Sequence, residues 1–147
     1  MLSNTCKYGI RAAIYLAVHE EKGKKIGIKT ISEGLELPAP FLGKILQQLA
    51  KQKILDSTKG PHGGFSLARS AYEISLYDIV EIIDGPDIFN ECMIGMRVCK
   101  THGVSETDCP FFAKSHKIRN DLKKLFINQS IGEYADGVKT FDGKIQL

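Results

Sequence analysis

Three cysteines, Cys92, Cys99 and Cys109, follow one another at the spacing C-x6-C-x9-C within the stretch NECMIGMRVCKTHGVSETDCP. Thiolates are soft donors. Three of them on a glycine-containing loop can converge on one soft metal centre, whereas a regular helix would scatter them around its axis. A zinc ribbon would use close pairs of cysteines, which are absent from this pattern. Two other readings stand beside the metal centre: three ordinary thiols, or a nucleophilic thiol assisted by a histidine, which needs a spatial adjacency that linear spacing does not supply. The fourth cysteine, Cys6, falls on an apolar helical stripe and reads as a small core residue.

A second constellation is cationic. The stretch TKGPHGGFSLAR, Thr58 to Arg69, packs glycines and a proline into a tip that bears Lys59 and His62, then alternates apolar and polar residues as a strand does. Glycines at such a tip allow close backbone approach. A slim tip with one cation can lie along a phosphate strand or enter a minor groove.

Charge is unevenly divided along the 147 residues. Residues 1–69 hold 11 Lys and Arg against 5 Asp and Glu, a net +6, while residues 70–147 hold 9 against 12, a net −3. The first half suits a polyanion, and the second does not. The longest early apolar run, Ala12 to Val18, is far shorter than the roughly 20 residues that span a bilayer. No cleavage site follows it, so neither a signal peptide nor membrane association is expected, and the cytoplasm is the expected compartment. In that reducing setting cysteines serve as ligands or sensors more often than in disulfides.

The elements that must position these residues follow from periodicity. Cys6, Ile10, Ala13, Ile14, Ala17 and Val18 mark an amphipathic helix over about residues 4–20. A short extended piece around Ile26–Ile28 leads into a short helix. Pro38 and Pro40 open another, over about 39–52, with Phe41, Leu42, Ile45, Leu46 and Leu49 on one face. Its other side holds Gly43, Lys44, Gln47, Gln48 and Lys51 and no carboxylate. Two short helices and a turn, the second basic and glutamine-rich, make a helix-turn-helix, and the hairpin after it makes a winged helix. Ser75 caps a further helix of about ten residues. After Pro110 a longer helix over about 111–128 presents Phe112, Ile118, Leu122, Leu125 and Phe126, a stripe that suits its own core or a dimer interface equally. Beyond Ser130 one more short helix and a fraying tail are expected.

In order, the segments KYGIRAAIYLA, PAPFLGKILQQLAKQKIL, KGPHGGFSLAR and YDIVEIIDG, followed by three spaced cysteines, closely resemble the Rrf2 family of bacterial transcription regulators over about Met1 to Asn128. That family includes iron-sulfur regulators and a nitric-oxide-sensing repressor. The resemblance implies a mainly α fold with a small β-hairpin wing: a winged-helix domain over 1–85, a cysteine-containing sensor loop over 86–110, and a dimerisation helix with a tail over 111–147. It implies a homodimer on a double-stranded DNA operator, acting as a repressor or an activator, of which a repressor is the expectation here, and not as an enzyme. The reading helix would use Phe41, Gly43, Lys44, Gln47, Gln48 and Lys51, and the wing Lys59, Gly60, Pro61, His62, Gly63 and Gly64. Lys59 stands where relatives often carry arginine; it keeps the charge without the planar fork.

Cys92, Cys99 and Cys109 correspond to the ligands of a two-iron or four-iron sulfur cluster that senses redox state, nitric oxide or iron-sulfur status. Some relatives add a histidine three residues after the last cysteine, and others a carboxylate from the partner's first helix. Phe112 and Lys7 occupy those positions here, leaving Cys6 from the partner chain, His102 in the loop and His116 on the following helix as alternatives for the fourth ligand. A regulator of the same fold without a cluster, answering to a protein or metabolite, is the other expectation.

Overall fold

Ser3 starts the first helix: its hydroxyl oxygen accepts a hydrogen bond from the Cys6 amide at 3.0 Å, and α1 then runs Asn4–Val18. The computed structural model describes residues 2–91 and 111–140. Within it α1 is the central strut, because α2 (Ile28–Leu35), α3 (Ala39–Lys51), α4 (Leu76–Ile83) and α6 (Ile131–Thr140) all pack against it. That crowding explains why its buried face is broad and made of small residues, Gly9, Ala12, Ala13 and Ala17, beside Ile14 and Leu16. At Gly9 a Cβ would lie 2.4 Å from Ile83 Cδ1, so the missing side chain is what lets α4 approach.

Glu36, in the left-handed conformation at φ 55°, stops α2 and turns the chain towards Pro38, the N-cap of α3. Leu42, Ile45, Leu46 and Leu49 bury the inner face of α3 as expected. Phe41 departs from the expected apolar face. It is 39% exposed and meets the Tyr8 ring edge-on at a centroid distance of 5.7 Å, because it sits at the margin of the stripe, where α3 turns towards solvent.

The antiparallel hairpin pairs β1 (Leu55–Thr58) with β2 (Gly64–Leu67), Leu55 opposite Leu67 and Thr58 opposite Gly64. Ile26 adds a third, one-residue rung: its amide donates to the Phe65 carbonyl and its carbonyl accepts the Phe65 amide in return, both at 2.9 Å. This rung fastens the wing to the residues just before α2. Beyond the hairpin, Ser75 and Asp78 form a reciprocal capping box at the start of α4, and Arg69 braces Asp78 at 3.2 Å.

The long helix α5 (Phe112–Asn128) ends in a second rung, where the Leu76 amide donates to Gln129 O at 2.9 Å and the Ile131 amide to Ile74 O at 2.8 Å. Ser130 and Glu133 then cap α6 reciprocally, Glu133 accepting the Ser130 amide at 3.0 Å. The helix expected as part of a short tail is a core element, since Ile131, Ala135 and Val138 are buried in the same cluster as Ala12, Leu46 and Ile79. Among the described residues no helix is long and apolar enough to cross a membrane.

Candidate nucleic-acid interface

The outward strip of α3 is defined by what holds its two margins. On one side Phe41 packs on Tyr8, and the Gln48 side-chain amide donates to the Ile82 carbonyl of α4 at 2.9 Å. On the other, Gly43 faces the start of α2, where a Cβ would meet Ile28 Cδ1 at 3.0 Å. Between these margins Lys44, Gln47 and Lys51 recur at helical spacing and are exposed. Gln48 therefore serves as a strut between α3 and α4, and Gly43 as a contact that lets α2 approach.

Next to this strip lies a groove of about 340 Å³. Gln47 forms one wall, the wing residues Thr58 to Pro61 the other, and Gly27, Ile28 and Lys29 the end. Sequence reasoning misses Lys29, because a lysine in a short helix reads as ordinary solvated surface until the groove is assembled around it. The amino end of α2 has no side-chain cap and no acidic residue in its first turn, and the first turn of α3 is likewise free of carboxylates. Unpaired helix-terminal amides carry partial positive charge and suit a phosphate, so backbone and lysines act with one sign here.

At the wing tip, the Gly63 amide donates to the Gly60 carbonyl at 2.9 Å and closes a turn with Pro61 and His62 at its apex. Lys59, Gly60, Pro61 and His62 are all exposed. The glycines do different work. Gly60, at φ 108°, supplies a backbone conformation with open space around it. At Gly63 a Cβ would fall 2.1 Å from the Thr58 carbonyl oxygen, and at Gly64 one would fall 2.4 Å from that of Ile26. The second pair is demanded by close packing. The tip is a closed turn on a pinned hairpin.

The candidate ligand residues divide in two. Cys92, Cys99, Cys109 and His102 lie outside the described residues. Cys6 is wholly buried against Val80 and Phe89. Burial first, then the negative charge of Asp84 and a hydrogen bond to it, push the Cys6 thiol up to about 12. A protonated core thiol fits that surrounding. His116 is half-buried on α5 with Nε2 2.9 Å from the Asn120 amide nitrogen. Among the described residues no group of three or more metal-ligating side chains converges.

On α5, Ile118, Leu122 and Leu125 stand at helical spacing with exposures of 63%, 44% and 58%. Phe126, on the opposite flank, packs against Phe89 at a centroid distance of 5.4 Å. The helix thus has one satisfied side and one bare apolar side.

Comparison with known proteins agrees with this architecture. A family model described as Rrf2, iron-dependent transcriptional regulator, matches residues 2–136. An HTH-type transcriptional regulator from Aquifex aeolicus is 28% identical over 131 residues, covering 89% of this chain and 88% of that protein. The regulator IscR of Pectobacterium carotovorum is 28% identical over 155 residues, covering 99% and 93%. Among solved structures, CymR, the global cysteine regulator of B. subtilis, superposes with a TM-score of 0.78 at 18% identity, covering 93% of this chain and 97% of that one.

Proposed function

Since this chain belongs to the Rrf2 family of DNA-binding transcriptional regulators, we propose that it works as a homodimeric repressor whose grip on its operator depends on an iron-sulfur group held by Cys92, Cys99 and Cys109. The observation that carries the DNA half is the groove between Gln47 and the wing, with Lys29 and Lys59 at its edges and the open amino end of α2 between them. The exposed strip of α3 fits a major groove, where the Gln47 amide addresses a base edge and Lys44 and Lys51 address phosphates. Lys59, Gly60, Pro61, His62, Gly63 and Gly64 lay the wing tip along the adjacent backbone.

The bare face of α5 supports the dimer. Pairing Ile118, Leu122 and Leu125 with the same residues of a second copy would remove them from water and set two recognition helices on successive major grooves, about one helical turn apart. The donor set supports the cofactor, because three thiolates suit iron and sulfide, and the group they hold supplies a soft, redox-sensitive charge. Burial of Cys6 leaves His102 and His116 as the stronger alternatives for a fourth ligand.

A second reading keeps the fold and the DNA contacts and replaces the cluster with a metabolite or protein signal. The cleft of about 640 Å³ between α1, the end of α2 and α6 favours it, with Arg11, Glu36 and Tyr134 in its walls. So does the likeness to a protein named as a cysteine regulator. Anaerobic purification followed by visible absorption and by iron and sulfide analysis separates the two. The first reading expects colour with both elements present. A colourless protein that takes up neither on reconstitution leaves the second.

A further inference from the structure

The cleft of about 640 Å³ that α1, the end of α2 and α6 enclose has an apolar floor and a charged lip. Ile14 and Leu35 are buried at its base, and Leu76 is half-buried. Arg11, Glu36 and Tyr134 form the lip. Nη2 of Arg11 donates to the Leu35 carbonyl at 3.3 Å, and the guanidinium carbon lies 5.8 Å from the centre of the Tyr8 ring, so the side chain is steadied from two sides. The carbonyl that Arg11 grips is the one joined to Glu36 by the next peptide bond. Charges of both signs therefore stand together above an apolar floor.

A volume of this size suits a small molecule, and apolar walls with a few polar groups are how such sites combine affinity with orientation. The polar groups here select by charge. A guanidinium presents a planar fork that matches a carboxylate, and a carboxylate accepts from an ammonium. A ligand with an acid group alone would bring its negative charge towards Glu36, and one with an amine alone would bring a positive charge towards Arg11. An α-amino acid carries both groups on one carbon atom. The Tyr134 hydroxyl, which both donates and accepts, is compatible with either. The floor calls for an uncharged side chain, because a charge buried without a partner is costly.

We propose that this cleft binds an α-amino acid with an apolar side chain, its carboxylate on Arg11, its ammonium on Glu36 and its side chain over Ile14, Leu35 and Leu76. The inference deepens the metabolite reading above and rests on that reading for its regulatory meaning. Glu36 is also the left-handed residue that stops α2 and turns the chain towards Pro38, the N-cap of α3. An occupant that ties Glu36 to α1 and α6 therefore acts on the turn from which the reading helix starts. Affinity for the amino acid and affinity for DNA are then linked, each changing the other by the same factor.

The test is equilibrium dialysis of the full chain against L-leucine, L-methionine and L-phenylalanine, and against the deaminated acid and the decarboxylated amine of each. At least one of the three amino acids is expected to bind, and its acid and its amine to bind more weakly by about tenfold or more, as when a hydrogen bond to a charged group is lost. Glu36→Gln should abolish the preference for the amino acid over its acid, and Arg11→Gln the preference over its amine. L-Aspartate and L-lysine should bind to none of these proteins. No binding of any of the three amino acids at millimolar concentration overturns the proposal, and so does binding that neither variant alters, or an acid that binds as well as its amino acid. If Arg11→Gln does not fold, Glu36→Gln and the analogues on wild type decide. Failure of the metabolite reading looks different: the amino acid binds, and the footprint on DNA is the same with and without it.

Discussion

Replacing Gly64 with alanine should detach the wing from the helix-turn-helix, and the cost follows from the geometry. The new Cβ would stand 2.4 Å from the Ile26 carbonyl oxygen, 2.6 Å from its carbon and 2.9 Å from the Gly27 nitrogen. All three are backbone atoms, so no side chain can rotate away. Relief requires opening the rung between Ile26 and Phe65, with its two hydrogen bonds of 2.9 Å. At about 0.5–1.5 kcal/mol each, these amount to about 1–3 kcal/mol. The positive φ of 156° adds strain of about 1–2 kcal/mol for a residue with a side chain. The expected destabilisation is therefore about 2–5 kcal/mol. Gly60→Ala is the control, because φ is 108° there with nothing within 4 Å, which leaves only the conformational part, about 1–2 kcal/mol. Equilibrium urea unfolding of both variants measures the difference, and footprinting at a temperature where both are folded shows whether protection by the wing disappears with Gly64→Ala. Equal midpoints for the two variants would refute the claim that close packing against Ile26, and not turn flexibility, fixes this glycine.

Lys59→Ala and Lys44→Ala should each weaken binding to specific and random duplexes alike, and lower the slope of log affinity against log salt by about 0.9 for each phosphate no longer neutralised; an unchanged slope removes the assignment. Gln47→Ala should relax preference at one base position by about 1–3 kcal/mol in competition binding, as expected when a bidentate hydrogen-bond pair to a base is removed. Gln48→Ala, by contrast, should lower stability by about 1 kcal/mol by removing the hydrogen bond to Ile82 and leave base preference intact. Ile118→Asp on the bare face of α5 should yield monomers in sedimentation while near-native helix content persists; an intact dimer would point to another interface. The raised pKa of Cys6 gives a stability contribution fully present below its ordinary value of 9.0 and lost as pH rises towards about 12. The stability of Cys6→Ala should accordingly fall less steeply than that of wild type across that alkaline window.

Residue pattern alone is enough to read the helix-turn-helix and the hairpin. The apolar spacing along α1 and α3, the prolines before α3, and Ser75 before α4 are local signals, and each element they specify is where periodicity puts it. The strip of Lys44, Gln47 and Lys51 is equally legible, since which face of a helix lacks carboxylates is a property of sequence. Two other features were decided only by folding. Gln48 and Gln47 are adjacent and chemically identical, and only the approach of α4 makes one a strut and leaves the other open. The glycines of the wing look alike in sequence, yet Ile26, far earlier in the chain, determines that Gly64 is a packing contact.

Arg119 is the clearest instance of the same limit. Among the lysines of α5 it reads as another solvated cation, and nothing near it in the chain marks it for burial. It is buried because the residues before Cys92 cross α5 and present two carbonyls to it. Sequence determined which segments would become helices, which faces would be apolar, and where positive charge and thiols would be concentrated, because those depend on neighbours within a few residues. Tertiary structure decided which polar groups of α3 stay exposed, which are consumed in holding helices together, and which cation among the described residues is buried, because those depend on contacts between residues that only the fold brings together.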